Sequence, residues 1–224
     1  MMSLGAGHPR MIGAPMPDPQ VEKPRDCAAA TPGHAEVRPV GQPVAQPVSQ
    51  PEVTHTGPVF RVERMRVRVG TSGETRVKDV VRHPGAVTVI AVRGDGMLVL
   101  VRNRRVAVDR WLVEFCAGKL ERGEDPAAAA ARELEEETGY SAARIERLGA
   151  FFTSPGFTDE IMHVFLATGL TAVPQRLEPG EELVVEEFTE AALRGAIADG
   201  RILDGKTLGA YLLWTMKRPA GGTA

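Results

Sequence analysis

The chain has 224 residues, enough for one medium domain or two small ones. Its 27 Lys and Arg nearly balance 29 Asp and Glu, for a formal charge of −2, which argues against nucleic acid or a membrane surface held by bulk electrostatics. No apolar run approaches the roughly 18 residues of a membrane span and no apolar signal core opens the chain, while Cys27 and Cys116 lie in dissimilar surroundings that do not suggest a disulfide framework, so a reducing cytoplasm is expected.

Eleven of the 17 prolines fall in the first 58 positions, and Gln-Pro-x-x repeats three times between Gln42 and Val53. Such proline density opposes helix and sheet, and little bulky apolar surface is present to offset ordering entropy. A disordered, Pro-rich tail is expected over 1–57, either a solvated leader or a docking arm. The folded body is expected over 58–217, with 218–224 as a flexible C-terminus.

Phe60 to Val69 alternates apolar and charged residues with one slip in phase near Arg64, and Gly70-Thr71-Ser72-Gly73 turns it into a return strand, Glu74 to Val81. His83-Pro84-Gly85 breaks the chain, and Ala86 to Val92 reads as a buried strand. Gly94-Asp95-Gly96 makes a hairpin to Met97–Val101. Arg102, Arg104, Arg105 and Arg110 then suggest an anionic ligand nearby, with a solvated strand end as the alternative, and Trp111 and Phe115 are expected in the core.

Gly118 to Tyr140 carries the densest signal. Asp125 is an N-cap, Pro126 fits the first helical position, five alanines favour helix, and Gly139 suits the C-terminal end, so a helix is expected over 126–138. Glu133, Glu136 and Glu137 then share one face. Three like charges so placed repel, and the face is either well solvated or holds a cation. Strands at Ile145–Phe152, Ile161–Thr168 and Leu183–Phe188 follow, with a polar loop at 153–160. His163 is expected as a hydrogen-bonded core residue. Thr189 caps a helix to Ala198, and Asp204 caps a last one with Leu208, Tyr211, Leu212 and Met216 on one face. The mixture predicts a layered α/β body.

Gly118, Glu124, Arg132, Glu133, Glu136, Glu137 and Gly139 stand at the spacing of the Nudix box, and the chain resembles the Nudix hydrolases. Tyr140 replaces the usual aliphatic end of the box. Pro155, in Ser154-Pro155-Gly156, with His83-Pro84-Gly85-Ala86 and Glu114-Phe115-Cys116-Ala117-Gly118, is similar to the ADP-ribose pyrophosphatase branch. There Asn103, Arg104 and Cys116 depart from the branch's Gln, aromatic and Pro. The resemblance implies an α/β/α sandwich around a mixed sheet, with an N-terminal antiparallel strand extension at 58–81 that contacts a second copy in a homodimer. It implies Mg²⁺, with Mn²⁺ as the alternative, held by Glu133, Glu136, Glu137 and the carbonyl of Ala117. Glu124 and Arg132 would form an ion pair that orients Glu133. The general base would be Glu181 or Glu182, with Glu136 holding a metal-bound water. Arg82, Arg105, Glu114 and Glu160 would meet the substrate. The implied reaction splits ADP-ribose into AMP and ribose 5-phosphate. The alternatives are another nucleotide-sugar substrate, such as UDP-glucose or GDP-mannose, and a non-catalytic nucleotide sensor.

Overall fold

A computed structural model of the chain describes residues 46–69, 73–178 and 180–218, which fall within one unit, Pro43–Ala224. A small antiparallel sheet comes first. It holds β1 (Gln46–Pro47), β2 (Glu52–Thr56), β3 (Arg61–Val69) and β4 (Glu74–Arg82). β1 and β2 lie in tandem along one edge of β3, and β4 covers the other.

Order therefore begins earlier than Pro58. Val53-Thr54-His55-Thr56 has no proline and is rich in β-branched residues, so it can add a ladder to an open strand edge. The remainder of the expected tail, 1–45, and residues 219–224 lie outside the described residues, as does most of the turn at 70–73. The phase slip expected near Arg64 is not a bulge against β4, because that register runs unbroken from Arg61↔Arg82 to Val69↔Glu74. Instead Glu63 occupies the buried row with Met65 and Val67. It can do so because Arg61 and Arg82 donate to its two oxygens at 2.8 and 2.7 Å.

The second sheet is mixed. Its strands are β5 (Ala86–Val92), β6 (Leu98–Arg105), β7 (Arg110–Glu114), β8 (Cys116–Lys119), β9 (Tyr140–Phe152), β10 (Ile161–Ala172) and β11 (Leu183–Phe188). The order is β11-β6-β5-β10-β9, with β7 on β6 and β8 on β5. β5 and β10 are parallel, and the other pairs are antiparallel. Side-chain alternation then sorts the core into two layers. Val87, Val89, Ala91, Val99 and Phe165 pack on Ala129, Ala130 and Leu134 of α1 (Pro126–Thr138). Ile90, Leu98, Leu100 and Val164 pack on Leu193 of α2 (Glu190–Ala198) and on Ala210 and Trp214 of α3 (Gly205–Lys217). This is the expected α/β/α sandwich.

The helix ends follow from local chemistry. Asp125 accepts from the amides of Ala127 and Ala128, and Gly139 ends α1 at φ 69°, a left-handed conformation that costs a glycine little. On α3 the buried face is Thr207, Ala210 and Trp214, whereas Leu208, Leu212 and Met216 are exposed. The Asp204 cap and a bond from the Phe115 amide to Thr207 Oγ1 fix the helix rotation, which turns Thr207, Ala210 and Trp214 inward. Phe115 is fully buried as expected, but Trp111 is exposed on the β6–β7 hairpin, where Arg102 lies near its ring.

Candidate active site

β8 and α1 cross at the Ala117-Gly118 backbone. A side chain at Gly118 would put its Cβ 1.9 Å from the Glu133 carboxyl, so the absent side chain is what lets that carboxylate lie against the strand. Four residues on, Glu137 accepts from the Ala117 amide at 2.9 Å. Both glutamates are buried. Burial pushes the Glu137 carboxyl up to about 7, and Glu133 and Glu181 add repulsion. Burial raises Glu133 as well, against the pull of Arg132.

Arg132 ties loop to helix. Its Nε and Nη2 donate to the two oxygens of Glu124 at 3.0 and 3.1 Å, and its Nη1 donates to Glu133 at 2.8 Å and Glu136 at 3.1 Å. Glu124 is held below the usual carboxylate range by this pair. The fork geometry of a guanidinium suits such a cluster.

Glu133, Glu137 and Glu181 line one acidic cleft of about 180 Å³, together with Ala117, Gly118 and Arg105. Glu182 does not line it, and Glu136 is turned to Arg132 rather than into the cleft. Arg105, Ala117 and Gly118 also line a neighbouring cavity of about 600 Å³. Its wall includes Glu160, which accepts from Thr153 Oγ1 at 2.6 Å, and Phe151 and Met162 supply apolar surface.

Two expected substrate contacts stand elsewhere. Arg82 is held by Glu63 at 2.7 Å and Asp159 at 3.1 Å, and it lines neither of these two cavities, because its two carboxylate partners draw it into the junction between the small sheet and the 153–160 loop. Glu114 is 1% exposed and lines neither; Arg105 takes both its oxygens, at 2.8 and 2.5 Å, and Lys206 shares one of them. Of the basic run, Arg102 pairs with Glu186 and Arg104 with Asp109, leaving Arg105 at the site.

A family model described as the NUDIX domain matches residues 82–206. The chain belongs to the Nudix family. A Bacillus subtilis protein named ADP-ribose pyrophosphatase is 44% identical over 139 residues, 61% of this chain and 75% of that protein. A Mycobacterium tuberculosis protein of the same name is 36% identical over 162 residues, 69% and 78% of the two chains. The fold superposes with a TM-score of 0.71 on a crystal structure of an ADP compounds hydrolase, at 21% identity, covering 83% of this chain and all of the other.

Among the described residues of this Nudix chain, no three His, Cys, Asp or Glu side chains converge closely enough to grip an ion, since Arg132 draws Glu133 and Glu136 to itself. The donor set nonetheless fits a hard cation. Burial makes both Glu133 and Glu137 costly to ionise, Glu181 adds negative charge from across the small cleft, and a divalent charge between them would offset that cost. Gly118 supplies the cradle. Lys206, which carries no expected role, and Asp204, expected only as a helix cap, also line the larger cavity. A lysine in the first turn of a helix, where the dipole disfavours it, was the available signal. His163 departs from expectation too: its Nδ1 is buried without a hydrogen-bond partner, and burial, with Arg147 nearby, lowers its basicity.

Proposed function

We propose that this Nudix chain hydrolyses the pyrophosphate bond of ADP-ribose to AMP and ribose 5-phosphate, with Mg²⁺, as a homodimer in the cytoplasm. The supporting observation is that the acidic cleft and the larger cavity share Arg105, Ala117 and Gly118. A substrate whose pyrophosphate lies at that shared wall can place a bulky half in the larger cavity. The names of the Bacillus subtilis and Mycobacterium tuberculosis relatives support ADP-ribose as that substrate.

Glu133 and Glu137, with the Ala117 carbonyl, and Glu136 once it leaves Arg132, would hold the metal, which when bound neutralises phosphate charge and makes a water more acidic. Glu181, in the cleft, takes the proton of the attacking water on its carboxylate. Glu182 is not needed for that step. The water oxygen bonds to one phosphorus, and the bridging oxygen departs with the other phosphate. Arg105 grips a phosphate oxygen with the Nη1 that Glu114 leaves free. Glu160 accepts from a ribose hydroxyl in the larger cavity. The catalytic body is taken as 58–217, and the strand pair of 58–81 as the contact between copies.

The test is chromatographic identification of products from ADP-ribose, UDP-glucose, GDP-mannose and a nucleoside triphosphate with Mg²⁺. AMP from ADP-ribose, well ahead of the rest, is expected. Faster cleavage of another compound overturns the substrate, and turnover of none overturns the hydrolase reading. The mass of the particle in solution tests the dimer.

A further inference from the structure

Lys206 is a nearly buried cation in the wall of the larger cavity, 11% exposed at its side chain. Its ammonium meets the carboxylates of Glu114 and, at 2.9 Å, Asp204. Both partners are tied to structure. Glu114 clamps Arg105 through two oxygens. Asp204 caps α3, accepting from the Thr207 amide at 2.9 Å and from its hydroxyl at 2.6 Å. Thr207 Oγ1 in turn accepts from the amide of Phe115, the residue after Glu114. The α3 cap, the β7–β8 junction and Arg105 thus form one closed set of bonds.

Two cations and two carboxylates in this set cancel. Without the ammonium, one negative charge remains beside the place a phosphate must occupy. Glu114, 1% exposed, would then draw on Arg105 alone. A buried carboxylate that loses one of two cations holds the other more tightly, and less of the guanidinium's charge is left for a ligand.

We propose that Lys206 is a positioning residue for the reaction, holding Glu114 and through it Arg105 at the wall shared by the two cavities, so that this wall accepts a phosphate. The proposal deepens the functional reading above and rests on the pyrophosphate lying at that wall. It does not depend on which nucleoside is attached.

The test reads binding as well as turnover. The first probe is methylenediphosphonate with Mg²⁺, an uncleavable form of the pyrophosphate common to every nucleoside diphosphate compound, titrated calorimetrically into the full chain and its variants. K206M is expected to weaken its binding about tenfold, the scale of one charge-assisted bond, and K206R to restore it to within about threefold. With ADP-ribose, K206M should raise KM about tenfold while kcat falls less than about threefold. A purely structural role would lower the melting temperature and the active fraction with KM unchanged. K206Q is read against the same thresholds should K206M fail to fold. Binding of the diphosphonate to the charge-removed variant within about twofold of the parent, or no binding to the parent, overturns the proposal. A parent that binds the diphosphonate but leaves ADP-ribose intact overturns the substrate reading alone, and the Lys206 comparison still stands on the binding data.

Discussion

Glu137 sits where burial and like charge both oppose its ionisation. That conflict is the residue-scale signature of the site, and it gives two measurable consequences. In E137Q the amide oxygen can still accept from the Ala117 amide, but the charge is gone. Turnover should fall by about two to four decades, roughly 3–5 kcal/mol, the scale of a lost electrostatic group in an active site. Stability should move the other way when divalent metal is chelated. The Glu137 carboxyl titrates near 4.5 in an unfolded chain and at about 7 here, so its penalty is absent below the first value, grows as pH rises between the two and is complete above the second. Metal-free E137Q should therefore melt at the same temperature as the parent at about pH 4.5 and above it at about pH 8. Gly118 makes a sharper steric prediction. With a Cβ due 1.9 Å from the Glu133 carboxyl, G118A must displace that carboxylate. Its kcat should fall at least about a hundredfold while the melting temperature changes by only a few degrees, since ångström misplacement of a catalytic group costs that much.

At the scale of elements, the helix and the loop that carry the site were the most readable parts of the chain. Asp125, Pro126, the alanines and Gly139 are local signals, and the helix ends fall where they place them. The spacing of Glu133, Glu136 and Glu137 likewise needed only helical geometry. What could not be read was whatever depends on partners distant in sequence. Arg82 is held by Glu63 and Asp159, 19 and 77 residues away. Glu114 is claimed by Lys206, 92 residues on. The rotation of α3 is set by a bond from Phe115, so its apolar stripe of Leu208, Leu212 and Met216 gave the wrong buried face. The choice between Glu181 and Glu182 is likewise tertiary, because only the first lines the cleft. The Glu63 junction yields a prediction at this scale. Arg82 and then Arg61 hold its carboxyl below the ordinary 4.5, so its contribution is present above that pH and is lost as pH falls through the lowered value. E63Q should lower the melting temperature at neutral pH, and the difference from the parent should shrink as pH falls below 4.5. A constant difference across that range would contradict the ion-pair account.

For the whole molecule, the three-layer body carries a separate small sheet built before it in the chain. β1 and β2 cover one edge of β3 with backbone hydrogen bonds. Removing them leaves an open strand edge, a liability in any sheet. A chain starting at residue 58 should melt several degrees below one starting at residue 46, about 2–4 °C for each kcal/mol lost, and should associate more readily. Equal melting temperatures would show that these strands add nothing to the fold. The acidic cleft belongs to the second sheet, and the shorter chain should keep its kcat per folded molecule.

With a divalent cation bound, the buried carboxylates at the β8–α1 crossing are expected to promote hydrolysis of a pyrophosphate bond. AMP released from ADP-ribose with Mg²⁺ by the parent and by E137Q, measured side by side, tests it most directly. AMP and ribose 5-phosphate are expected in equal amounts from the parent and at least about a hundredfold less from E137Q. AMP release at the same rate from both would contradict it.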